Sequence, residues 1–150
     1  MQAVDSKQQQ LKIGDIIRIA GFQTDSPYDT QELTLRLVTE MSDPRVTHMV
    51  YGNTLFIIDR GKGRNGYMRA LNADTAQNFL ENGKRFAEVA YALGFDVLMT
   101  RFTQPSFLQI FREIAKNPPR PNMGYKVQET SDGKYQVTFA LGPRRQGEAT

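Results

Sequence analysis

The sequence contains no cysteine, no tryptophan and a single histidine among its 150 residues. Without cysteine there is no disulfide framework and no thiolate to serve as nucleophile or metal ligand. One histidine, His48, excludes a histidine-rich metal site, so any metal would need carboxylates and none is expected. His48 stands between Thr47 and Met49 and is read as a structural strand residue. Net charge is small too: 19 Lys+Arg against 16 Asp+Glu leaves +3, an excess that does not by itself imply nucleic acid. Residues 1–10, Met1-Gln-Ala-Val-Asp-Ser-Lys-Gln-Gln-Gln10, lack an apolar core and are read as neither signal peptide nor membrane anchor. No repeat or heptad is visible, and no Gly-x-Ser-x-Gly elbow surrounds Ser106, so a serine hydrolase has no support. The expectation is a soluble, cytoplasmic product.

What is present suits one globular domain. Hydrophobic residues make up 39% and aromatics 10%, which is ordinary for a chain long enough to bury a core. Residues 1–10 read as a polar, mobile arm, residues 11–141 as the domain and residues 142–150, with Arg144 and Arg145, as a solvated tail.

Taken in order, Leu11–Ala20 carries a β-branched run ending at Gly21 and is expected to be a strand. A loop with Ser26-Pro27 follows. Asp29 and Glu32 form a capping-box pattern, and Leu33, Leu37, Val38 and Met41 give an apolar stripe for a helix that stops at Ser42-Asp43-Pro44. Gly52-Asn53 between Val46–Tyr51 and Thr54–Asp59 is a two-residue hairpin signal. The longer turn Arg60–Gly66 leads into a strand ending at Leu71. A helix of about Asp74–Leu93 comes next, with Phe79, Phe86, Ala90 and Leu93 on one stripe and Gly83 on the same face. Gly83 there suggests that backbone comes close to backbone. A strand Phe95–Phe102 follows, then a helix capped by Thr103 or Gln104 with Pro105 in its first turn and Phe107, Ile110, Phe111 and Ile114 inward. Asn117–Asn122 is a stiff connector, and Tyr125–Glu129 and Tyr135–Leu141 are joined through Asp132-Gly133. The fold class is α/β (α+β): one mixed, mostly antiparallel sheet with helices on both faces.

Two stretches invite a functional reading. The turn Arg60-Gly-Lys-Gly63-Arg-Asn-Gly66 concentrates Arg60, Lys62 and Arg64 around Gly63, with Tyr67 and Arg69 just beyond. Such a loop can wrap a phosphate as a nest of N–H groups or meet a nucleic-acid strand, and it can equally be a solvated hairpin turn. The second is the junction Asn72-Ala-Asp-Thr-Ala-Gln77. A strand-turn-helix junction is where an anion usually sits, but here it carries a carboxylate and no glycine.

The order of elements resembles the GCN5-related N-acetyltransferase (GNAT) fold over roughly residues 11 to 141. The likeness is greatest in Ala92-Leu93-Gly94, the strand Asp96–Thr100, the helix Pro105–Lys116 and Gly124-Tyr125. The resemblance implies acetyl-CoA beside Arg69, Ala70, Leu71, Asp74 and Thr75. It also implies a Gln/Arg-x-x-Gly-x-Gly/Ala loop around the cofactor diphosphate, where this chain has Asn72–Gln77. Asp74 is expected to cap the helix, to occupy its free N–H groups and to repel a diphosphate. The family's acid position falls on Phe111, and the strand Tyr67–Leu71 holds no carboxylate base. Tyr125, Glu129 or a water would have to substitute. The expectation is a GNAT-shaped protein that has lost acetyl-CoA chemistry, takes no cofactor and serves as a structural or interaction component with protein partners. Proteins of this size with a degenerate junction look like internal virion or assembly proteins of short-tailed phages, which would place the chain in host cytoplasm or virion. The alternative is an acetyl-CoA-dependent N-acetyltransferase of unknown acceptor. Whether the two central strands splay apart bears on the choice.

Overall fold

A computed structural model of the chain describes residues 11–20, 29–103, 105–120 and 122–142. The expected arm 1–10, the Ser26-Pro27 loop, Gln104 as a cap, and Arg144 and Arg145 of the tail lie outside the described residues. The first element corrects the sequence reading. Ile13–Ala20 is a helix, α1, not a strand. Ile13, Ile16, Ile17 and Ala20 fall at i, i+3, i+4 and i+7, and Ile16, Ile17 and Ala20 are fully buried. That helical period outweighs the β-branched content on which the strand reading rests.

Helix α2 spans Thr30–Met41, and Asp29 caps it as expected: its carboxylate accepts the Glu32 N–H at 2.8 Å. The reciprocal half of the capping box is not among the contacts made, because the Glu32 carboxylate pairs with Arg36 at 3.3 Å. Leu33 and Leu37 are buried, whereas Val38, expected inward, is 49% exposed.

Strands β1 (Val46–Tyr51) and β2 (Thr54–Arg60) form the expected hairpin, with Gly52 at φ +56°. Strand β3 runs Asn65–Asn72, helix α3 Ala76–Ala92 and strand β4 Val97–Phe102. Helix α4 spans Pro105–Lys116, and β5 (Gly124–Glu129) and β6 (Tyr135–Ala140) close the chain. The six strands make one mixed sheet in the order β1-β2-β3-β4-β6-β5, in which β3 and β4 are the parallel pair. Helices α1 and α2 cover one face over Leu55, Ile57 and Leu71. Helices α3 and α4 cover the other, where Phe56, Ile58, Met68, Leu98 and Phe139 form the larger core. Phe86 of α3 stacks flat on Phe56 at 4.3 Å between centroids.

Helix α3 ends in a Schellman motif. Gly94, at φ +99°, donates to Tyr91 O, and Phe95 N–H donates to Ala90 O at 3.1 Å. Leu93 is therefore the cap, 47% exposed, and not the last residue of the buried stripe. Gly66, at the start of β3, admits no side chain: a Cβ there would lie 2.6 Å from the Ile58 side chain and 3.0 Å from the Phe95 ring.

Candidate functional site

Strands β3 and β4 run together only at their starts. Asn65 faces Val97, Gly66 faces Leu98 and Tyr67 faces Met99, and there the register ends. Beyond it β3 follows β2 to Asn72, while β4 follows β6 to Phe102. The sheet is thus split on one side of its centre, and a cavity of about 110 Å³ lies in the split. Tyr67, Arg69 and Ala70 line it from β3, Thr100, Arg101 and Phe102 from β4, and Lys134 from the turn before β6. Phenylalanines occupy the space between: Phe107 of α4 stands edge-on to Phe79 of α3 at 6.4 Å and to Phe102 at 5.9 Å.

At the far end of the split β3 passes into α3 through three residues, Ala73, Asp74 and Thr75. Thr75, not Asp74, is the helix cap. It has extended backbone, and its hydroxyl accepts the Asn78 N–H at 3.1 Å. Asp74 serves another purpose. One carboxylate oxygen accepts the Asn53 N–H at 2.6 Å and the Asn82 side-chain amide at 2.9 Å, and the other oxygen accepts from the Asn78 amide at 3.4 Å. Around it, the Asn72 side chain accepts from Asp74 N–H at 3.1 Å and from the Thr54 hydroxyl at 2.8 Å, and donates to Asp74 O at 2.9 Å. The Asn82 amide also reaches the Thr54 hydroxyl at 3.0 Å, and Leu11 N–H ends on the Asn53 side chain at 2.8 Å. The β1–β2 turn, the end of β3 and the first two turns of α3 are thereby one hydrogen-bonded knot. Its tightness explains Gly52, where a Cβ would lie 2.7 Å from the Asp74 carboxylate.

No family model matches the chain, and no curated protein matches it in sequence. Solved structures do match. Aminoglycoside 6'-acetyltransferase type Ii aligns over 96% of this chain and 94% of its own with a TM-score of 0.56 at 11% identity. The fold is that of the GNAT acetyltransferases. The ribosomal-protein-S18-alanine N-acetyltransferase from Escherichia coli gives a TM-score of 0.55 at 8% identity, over 93% of this chain and 96% of that one. The aminoglycoside 6'-N-acetyltransferase from Enterococcus faecium gives 0.53 at 11%, over 96% and 94%. Identities this low establish the GNAT fold alone.

On the GNAT fold the residues singled out from sequence fall in four places. Arg69 and Ala70 line the split, but Leu71 points to the other face and is fully buried beneath α1 and α2. Arg69 is held by Glu40 at 2.5 Å and Asp59 at 3.5 Å, so it ties the end of α2 to the sheet. Among the described residues its buried Nε has no hydrogen-bond partner. Asp74 and Thr75 lie at the junction. Arg60, Lys62, Gly63 and Arg64 lie at the opposite end of β3, roughly 25 Å away for a strand of eight residues. The basic turn and the start of α3 therefore do not meet. Within that turn Gly61 N–H donates to Asn65 O and Asn65 N–H to Lys62 O, so these donors close the turn on itself instead of converging on an anion. Gly63 takes φ +61°, and the Arg60 guanidinium lies 4.3 Å over the Phe95 ring.

Phe111, where the resemblance places the family's acid, is buried against Phe102 at 5.4 Å and Phe139 at 5.6 Å. Tyr125 and Glu129, the side chains that would have to replace the family's acid and base, are not in the lining of the split. Among the described residues the buried Tyr125 hydroxyl has no hydrogen-bond partner, and burial pushes its phenol above the ordinary range, opposed by the Arg112 charge. Sequence reasoning misses Asn53, Thr54, Asn72 and Asn82 as members of one network. The available signal is Asn82, a polar residue at helical spacing between Phe79 and Phe86 that is only 7% exposed.

Proposed function

We propose that this GNAT-fold protein does not transfer acetyl groups and acts as a binding component of a protein assembly, of the kind the sequence resembles in short-tailed phage virions. The observation that carries the reading is the β3–α3 junction. A diphosphate at a helix start needs a loop that wraps it and N–H groups that nothing else claims. Here the connection is three residues long, and its one carboxylate is fixed by Asn53 and Asn82 beside the helix mouth. The split next to it holds about 110 Å³, against roughly 300 Å³ or more for a typical small-molecule site, and phenylalanines line it. Both features argue against acetyl-CoA at this junction.

A second reading, an N-acetyltransferase, is favoured by the split itself, since strands that diverge after three pairs leave the β3 edge open to an extended ligand. One titration separates the two. A ligand with a Kd of about 10 μM, present at about 1 mM, stabilises the native state by about 2.7 kcal/mol. For a domain of this size that raises Tm by about 5–10 °C. We expect no shift with acetyl-CoA or CoA at that concentration. A rise of that size establishes cofactor binding and overturns the first reading.

A further inference from the structure

Strand β1 lies at an edge of the sheet, and among the described residues no strand pairs with its outer side. Its composition is unusual for an edge. Val46-Thr-His-Met-Val-Tyr51 has no proline, no lysine and no carboxylate, and it pairs one-to-one with β2 without a bulge. Natural edges are normally blunted by those devices. The opposite edge is blunted: β5 carries Lys126 and Glu129.

The hairpin sets which groups β1 offers. A two-residue turn closes on a hydrogen-bonded pair, here Tyr51 and Thr54, with Gly52 supplying the positive φ at the first turn position. Alternation then directs the N–H and C=O groups of Tyr51, Met49 and Thr47 toward β2 and those of Val50, His48 and Val46 outward.

We infer that the outer edge of β1 pairs antiparallel with β1 of a second copy of this chain, about a two-fold axis through His48. In that register Val46 faces Val50 of the second copy, Thr47 faces Met49 and His48 faces His48. His48 then exchanges both hydrogen bonds with its counterpart and each Val50 N–H donates to a Val46 carbonyl, about four in total, because the Val46 N–H already donates to Asp43 O at 2.9 Å. No carboxylate or ammonium group is opposed. A two-fold axis normal to the sheet also brings both α2 helices to the same face beside the seam. Helix α2 packs over β1, and its Leu35 and Val38 remain 64% and 49% exposed. Those side chains supply apolar area that an edge alone lacks, since stable interfaces bury about 1,200 Å² or more.

Sedimentation equilibrium of the full chain tests this. The expected species has twice the 17.0 kDa chain mass. His48→Lys sets like charges directly opposite each other and raises the dimer Kd at least about tenfold. His48→Thr, neutral and β-branched, keeps the dimer. His48 is exposed, so both variants fold, as circular dichroism verifies. Hydrogen exchange of the parent shows added protection at the His48 and Val50 amides that the lysine variant loses. A parent that stays at 17.0 kDa up to millimolar concentration overturns the inference. So does a dimer indifferent to His48→Lys, or one whose protection lies elsewhere.

Discussion

Gly83 shows how one missing methyl group can be read two ways. In the middle of α3 it costs the helix roughly 1 kcal/mol against alanine, and its place on the inward face suggests a backbone contact too close for a side chain. The neighbour is instead the end of a side chain. A Cβ at Gly83 would meet the Ile114 Cδ1 at 3.4 Å, an ordinary contact. The space beside it is a small apolar cavity of about 30 Å³ among Phe56, Phe86, Phe111 and Ile114. Gly83→Ala therefore gains helix propensity and fills space, without strain. Thermal melting should show a gain of about 1 kcal/mol, or about 2–4 °C in Tm. A fall in Tm would mean that α3 and α4 cannot yield there. Gly66 is the opposite case, because the Ile58 methyl and the Phe95 ring close on it from fixed positions.

Among the elements, the β3–α3 connection decides how the fold is used. Thr75 caps the helix, which frees Asp74 to bind the β1–β2 turn to the second turn of α3. Asp74→Ala leaves the Asn53 N–H without its acceptor and the buried Asn82 amide with the Thr54 hydroxyl alone, at a cost of about 1–3 kcal/mol. Urea denaturation should register that loss, with Asp74→Asn losing less because one acceptor oxygen remains. A loss below about 0.5 kcal/mol would show that water replaces the carboxylate and that the knot is not structural. The junction is only half legible in the sequence. Its lack of glycine and its carboxylate are plain from Asn72–Gln77. What Asp74 binds is not, because Asn53 and Asn82 come from a hairpin turn and a helix that only the tertiary fold brings together. The cap falls one residue later than expected for a related reason: aspartate and threonine are both good caps, and local sequence does not choose between them. Helix α1 departs from expectation on different grounds. Two signals conflict in Leu11–Ala20, where β-branched content points to a strand and the i, i+3, i+4, i+7 spacing, which burial obeys, points to a helix.

In the whole molecule, the hairpins and the helix stop are legible because turn chemistry is local: Gly52-Asn53, Asp132-Gly133 and Pro44 each mark a boundary without tertiary help. The split between β3 and β4 is not, since nothing in either strand states where a parallel register ends. That split also raises a question of cohesion. The half-sheets β1-β2-β3 and β4-β6-β5 share three residue pairs and otherwise meet through side chains of α3 and α4. Phe86 is central to this layer, buried and stacked on Phe56 of the first half-sheet, within the same cluster as Leu98, Val137 and Phe139 of the second. If the shared layer carries the cohesion, Phe86→Ala lowers stability by about 3–5 kcal/mol, and the loss is common to both halves. Native-state hydrogen exchange reads this directly, because amides that open only by global unfolding all lose protection by the same free energy. Amides of β2 and of β6 should fall together, with one denaturant transition and an unchanged m-value. Protection lost in β2 but kept in β6 would mean that the split divides the molecule into two folding units joined only by the starts of β3 and β4.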